Sequence, residues 1–228
     1  MNWKNYFSTS IGKKILVGAT GLFLIIFLVV HCYVNAMVFW PDPVPGKHFT
    51  DAAAFMGGFA AVRIVEIGLF LGLIIHIVQG LSLWRQNMKR RSVGYAVKAG
   101  NQTSKWYSRS MGLLGTLILM FLILHLYHFW APNRYGQAFD PNWKEEDLYN
   151  KMKLVFTDMW VVVVYILGCV SLSWHLMHGF YSGFQTFGLA THRYKGFIKS
   201  LGVAFAIIIP LIFISMPIYM HFMAATGN

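Results

Sequence analysis

Five long apolar runs, separated by shorter polar connections, dominate the chain. They predict membrane-spanning helices at Ile15–Phe39, Ala60–Leu83, Met111–Trp130, Leu154–Phe180 and Leu201–Phe222. Each run meets the roughly 20 mostly apolar residues that a helix needs to cross the hydrocarbon of a bilayer. Between runs one and two, and just after run three, Pro41, Pro43, Pro45 and Pro132 predict turns that stop helices. Asn142–Lys153 predicts a short interfacial helix. Neither a repeat of fixed period nor a low-complexity tract divides the chain, so residues 1–228 read as one helical transmembrane domain. The fold class expected is all-α integral membrane: five transmembrane helices, with the first four forming a bundle and the fifth beside it.

Composition agrees. Of 228 residues, 57% are apolar and only 12% charged, whereas a soluble domain carries about twice that share of charge. The net charge of +11 does not indicate nucleic acid, because the basic residues lie between apolar runs. Three precede the first run (Lys4, Lys13, Lys14), seven lie from Arg85 to Arg109, and three (Arg193, Lys195, Lys199) separate the last two. The remaining six, Lys47, Arg63, Arg134, Lys144, Lys151 and Lys153, fall on the other side. The positive-inside rule then predicts a cytoplasmic N-terminus and an external C-terminus. All 8 acidic residues fall in or next to the connections predicted to be external. No cleavable signal is expected, because the apolar run after Lys13 and Lys14 is too long for a signal peptide.

Cys32 and Cys169 lie inside apolar runs and form neither CxxC nor CxxCH, which excludes attached c-type haem and a zinc ribbon. They read as two small buried thiols.

The chemistry lies in the 9 histidines. His48 and His192 read as surface residues in loops and His221 as interfacial, but an imidazole inside hydrocarbon needs a partner or a function. His31 and His125 fall 16 and 14 residues into runs that start inside, so both lie in the outer half. His76 and His175 lie near the inner ends of runs that travel inward. Four helices thus present two depth-matched pairs, separated by something on the order of 10 Å at ~1.5 Å per residue. That suits two stacked haems, each held by two imidazoles with both axial positions filled, an arrangement for electron transfer rather than oxygen binding. Gly80 and Gly179 follow His76 and His175 by one turn, on the ligand's own face, where a missing side chain admits a porphyrin edge. Close packing of helices on small residues explains the same glycines, and Gly72 and Ser171 repeat the smallness one turn before each histidine. His128 and His178, one turn beyond His125 and His175, leave the choice within each of those pairs open.

The segments GLFLIIFLVVH, HIVQGLSLWR, FLILHLYHF and HLMHGFYSGFQTFG carry a resemblance that covers nearly the whole chain. It resembles the cytochrome b membrane-anchor subunit of succinate dehydrogenase and fumarate reductase (succinate:quinone oxidoreductase), in the single-chain, five-helix, di-haem form. The resemblance implies ligation by His175, followed by Gly179 and Gly188, rather than by His178, and by His125 of an HLY triplet rather than by His128. It pairs the first span with the third and the second with the fourth. Fumarate reductases of this type resemble one another in a glutamate two residues before the fourth-span ligand. Ser173 stands there, which favours succinate oxidation with quinone reduction.

The resemblance implies two b haems, one on His31 and His125 and one on His76 and His175, and a quinone, menaquinone, as substrate. It also implies a flavoprotein and an iron-sulfur subunit docked on the cytoplasmic face. The location implied is the inner (cytoplasmic) membrane, where the complex forms a homo-oligomer if it associates further. The chain itself carries no nucleotide fingerprint, no cysteine set for a cluster and no dicarboxylate site. Its basic loop with Lys89, Arg90 and Arg91 suits an acidic partner and, equally, anionic lipid. For the quinone the candidates are Arg63 and Glu66, one turn apart at the outer start of the second span, and His128; an ion pair anchoring the helix end and a structural hydrogen bond explain the same residues. Two other classes fit the pattern less fully: the haem-b anchor of a formate dehydrogenase or hydrogenase, and a haem-free proton-coupled transporter.

Overall fold

The computed structural model describes residues 9–89, 106–139 and 148–226. Among these, every regular element is a helix. Helix α1 runs Ser10–Ala36 and ends in a 3-10 turn at Met37–Phe39; α2 is Lys47–Gly58, α3 Ala60–Lys89 and α4 the single turn Trp106–Arg109. Helix α5, Met111–His125, passes through a π-helical segment, Leu126–Trp130, into α6, Ala131–Phe139. Then follow α7, Leu148–Phe156, α8, Met159–Thr186, and α9, Lys195–Thr226.

Five of these stretches are long and apolar enough to cross a membrane: Ser10–Phe39, Ala60–Lys89, Met111–Gly136, Met159–Thr186 and Lys195–Thr226. The chain is a multi-pass membrane protein. Large apolar side chains stand exposed along them, Ile26, Ile64, Ile67, Leu71, Ile123 and Leu211 among them, as a lipid-facing surface requires and a water-facing one does not tolerate.

The expected boundaries need three corrections. The fourth span begins at Met159 rather than Leu154, because Leu148–Phe156 forms its own helix and Asp158 opens the next one, its carbonyl accepting from the amides of Val161 and Val162. Pro132 does not stop a helix; it sits just past the π segment, whose wider turn relieves the clash of a proline ring with the carbonyl four residues back. His48 lies in the first turn of α2, a helix that the prolines before it concealed, rather than in a loop. The expectations resting on Lys4, Arg90, Arg91 and residues 142–147 fall outside the described residues.

The chain divides into two compact units, one of residues 1–27, 67–116 and 172–207, the other of residues 28–66, 117–171 and 208–228. In the first, α1 and α3 run antiparallel in a register marked by three contacts. Lys13 Nζ donates to Ser82 Oγ at 2.8 Å, Thr20 Oγ1 lies 3.2 Å from His76 Nδ1, and Phe23 packs over Gly72. Aromatic rings fill glycine sockets in the same unit: a Cβ at Gly112 would fall 2.5 Å from Trp84 and one at Gly202 2.8 Å from Phe180. Helix α8 ends in a Schellman cap, with Gly188 at φ 71°, its amide donating to the Gln185 carbonyl and that of Leu189 to the Phe184 carbonyl.

The second unit holds a buried core that includes Val38, Phe49, Tyr149, Met152, Phe156, Val162, Tyr165, Met216 and Met220. Gly46 opens α2 at φ 75°, and a Cβ there would run into the Tyr149 ring, so conformation and space both demand glycine. Cys32 and Cys169 are buried free thiols, as their apolar surroundings predict.

Helix α9 contains Pro210, which cannot donate to the Ala206 carbonyl four residues back. Ser173 of α8 supplies the missing bond, its Oγ donating to the Ala206 oxygen at 2.6 Å. The residue that departs from the fumarate reductase pattern therefore repairs a proline break.

Candidate functional site

In the first unit the rings of His76 on α3 and His175 on α8 lie with centroids 6.2 Å apart. In the second, His31 on α1 and His125 at the end of α5 are 5.7 Å apart. His128 and His178 join neither pair of rings. His128 instead shares a 3.0 Å hydrogen bond with Tyr165 Oη and stacks on that ring. His221 donates to the Phe156 carbonyl at 2.8 Å, tying α9 to the end of α7.

The pairs suit one metal each. Two imidazoles bound through nitrogen at about 2.0–2.1 Å, each ring centre about 1.1 Å behind its nitrogen, would set centroids about 6.3 Å apart. The observed spacings approach that value. One histidine of each pair, His125 and His175, has a buried Nδ1 with no hydrogen-bond partner among the described residues. An orphaned ring nitrogen is costly in an apolar interior and marks a missing group or a functional demand.

The other member of each pair has a neighbour at Nδ1. Thr20 has one hydroxyl proton, and its Oγ1 lies 2.7 Å from the Leu16 carbonyl, to which it donates. Toward His76 it therefore accepts, which places the proton on Nδ1 and leaves Nε2 with its lone pair free for a metal. Asn35 Nδ2 donates to the His31 carbonyl at 2.8 Å and stands 3.3 Å from the ring Nδ1. The amide has two hydrogens, so one is left that can reach the ring nitrogen, and these contacts alone do not assign the His31 tautomer.

The glycines separate by role. A Cβ at Gly80 or at Gly179 would meet no described atom within 4 Å, so neither serves as a close helix contact. Both border open space one turn from a histidine, as a cofactor edge would need. Gly72, by contrast, packs on Phe23, and Ser171 is buried, 8% exposed; those small residues serve packing. Gly188 caps α8. Sequence pattern misses Gly21 and Gly115, whose Cβ positions would lie 3.3 Å from His76 and 3.8 Å from His175; only the fold brings them opposite the rings.

Aromatic side chains enclose the second pair. Phe121, Phe129 and Tyr165 surround His125, and Phe213 lies 5.5 Å from His31. The π segment begins immediately after His125, and such segments concentrate at functional positions.

Arg63 and Glu66 do not form an isolated pair. Glu66 accepts from Trp130 Nε1 at 2.8 Å and pairs with Arg134, while Arg63 stands 3.4 Å away with its side chain 38% exposed. Trp130 and Arg134 are members that sequence spacing could not reveal, being 64 and 68 residues away.

Comparison with protein-family models, with curated proteins and with solved structures finds no match.

Proposed function

We propose that the chain is the membrane subunit of a succinate:quinone oxidoreductase, an anchor and electron conduit that holds two b haems. The observation that carries the haem part is the duplicated histidine pair at 5.7 and 6.2 Å, each with one orphaned Nδ1. The enzyme assignment rests on the sequence resemblance.

His76 and His175 would hold one haem iron, and His31 and His125 the other. When bound, the haems would supply one-electron transfer at iron. The protein's own part is positional. Thr20 orients the His76 ring and holds its Nδ1 proton, Gly80 and Gly179 leave room beside two ligand helices, and Phe121, Phe129, Tyr165 and Phe213 keep water from the His31 and His125 rings.

In this reading the N-terminus is cytoplasmic, the complex resides in the inner membrane, and flavoprotein and iron-sulfur subunits dock on its cytoplasmic face. A quinone, menaquinone, would bind on the external side, near Arg63. Trp130 and Arg134 hold Glu66 as a fixed acceptor there, and Arg63 keeps donors to offer a quinone carbonyl. His128 is committed to Tyr165.

Purification from native membrane, with a reduced-minus-oxidised spectrum, haem quantitation and identification of co-purifying subunits, tests the whole proposal. The expected result is two low-spin b haems per chain together with a flavoprotein and an iron-sulfur protein. A chain without haem bands overturns the reading outright. Two haems accompanied by formate dehydrogenase or hydrogenase subunits would leave the conduit and remove the succinate assignment.

A further inference from the structure

Lys13 is a cation in the first turn of the first span, and its partner is neutral. Its ammonium donates to the Ser82 hydroxyl at 2.8 Å, and among the described residues it belongs to none of the salt bridges, which pair Lys47, His48, Arg63 and Arg134 with acids. A lysine in a membrane helix ordinarily snorkels to water or finds an anion. Here it bends onto α3 instead, on the face that serves the histidine site.

Lys13 lies seven residues before Thr20, nearly two full turns and so on the same face of α1, about 10 Å along the axis at ~1.5 Å per residue. Thr20 meets His76, and Gly21 leaves room for that ring. On α3, Gln79 lies between His76 and Ser82, and its Oε1 is buried without a hydrogen-bond partner. Amide oxygen and nitrogen are interchangeable by a flip; turned over, Gln79 presents N–H donors. Lys13 meets Ser82, and Gln79 stands one turn before Ser82 on α3, so a positively charged, donor-rich group lies less than two turns along α3 from His76, with no carboxylate bonded to Lys13 among the described residues.

We infer that Lys13, with Ser82 and Gln79, is the anchor for a carboxylate of the cofactor held by His76 and His175: a haem propionate. The inference rests on the haem reading above. The carboxylate supplies the counter-charge that Lys13 lacks, and the ammonium in turn disfavours the ferric iron, which carries one more positive charge than the ferrous. Removing the lysine charge thus lowers the midpoint potential of that haem alone.

The test is a redox titration of the full chain in its purified complex, with haem quantitation, for wild type, Lys13→Gln, Lys13→Arg and Ser82→Ala. His76→Ala identifies which spectral component belongs to this site. Lys13→Gln is expected to shift that component downward and leave the other in place, while Lys13→Arg keeps the wild-type potential. Should Lys13→Gln not accumulate in the membrane, Ser82→Ala carries the test, with a smaller shift of the same component expected. Unmoved potentials, or a shift in the component that depends on His31 and His125, would overturn the anchor. A wild-type chain with no haem overturns the underlying haem reading instead; a wild type with two haems and unresponsive variants overturns only the anchor.

Discussion

At the residue scale, the paired rings make the sharpest expectations. His31→Ala and His125→Ala should each abolish the same haem, and His76→Ala and His175→Ala the other, with one of two haems lost in every case. Haem quantitation with component-resolved spectra checks this, and a common haem lost in His31→Ala and His76→Ala would contradict the pairing. His128→Ala and His178→Ala should retain both haems, since neither ring faces a second histidine; losing Tyr165's partner costs His128→Ala stability instead. Outside the spans, the Asp42 carboxyl is held below the usual carboxylate range, first by the backbone amide of His48 and then by that residue's ring. A lowered carboxyl contributes stability above its unfolded value and loses it as pH falls through the folded one. Exchange protection at the His48 amide should therefore hold at neutral pH and fade on acidification below the ordinary carboxylate range; protection independent of pH would show that Asp42 does not hold this turn.

At the element scale, glycines that look alike in sequence do different work. Gly179 and Gly188 both follow His175, yet one borders open space on α8 and the other, past its end, closes the helix in a left-handed cap. Gly80→Leu and Gly179→Leu should fold, because no described atom lies within 4 Å of the first added carbon, and should still reduce occupancy of the haem proposed at His76 and His175. Full retention of that haem would mean the space beside α3 and α8 is not the cofactor's. Helix α9 offers a separate test of packing. Ser173→Ala leaves the Ala206 carbonyl without its donor and should cost on the order of 0.5–1.5 kcal/mol in unfolding measurements in detergent. Pro210→Ala restores the helix's own amide, so Ser173→Ala should cost less in that background. Additive losses in the double-mutant cycle would uncouple the two residues.

At the scale of the whole molecule, the five spans and the charge asymmetry raise the question of orientation. The N-terminal side carries most of the basic residues, 13 of the 19 in the chain, and the proposed docking of soluble subunits requires that side to be cytoplasmic. Single cysteines placed before Ser10 should be labelled by an impermeant thiol reagent only after cells are broken, and cysteines beside Thr226 in intact cells once the outer barrier is opened. The reverse pattern would move the docking face and the proposed quinone region to opposite sides. Each unit contains one histidine pair, so loss of one haem need not unfold the other unit.

Hydropathy, charge bias and residue identity are properties of neighbours in sequence, which is why the number of spans, the buried thiols and the presence of histidine within each of the spans are legible in the amino-acid sequence itself. Depth along a helix follows from counting residues, so which histidines could face one another is legible there too. What tertiary structure alone decided are the partners brought together from afar. Thr20 meets His76 across 56 residues, Ser173 serves a carbonyl 33 residues on, Trp130 reaches Glu66 across 64, and Lys13 reaches Ser82 across 69. Such contacts depend on helix rotation and register, and hydropathy says little of either when a run is apolar on every face. The same reason hid α2 and the π turn: a glycine at positive φ against Tyr149 and a proline tolerated after a widened turn are set by packing, not by local propensity.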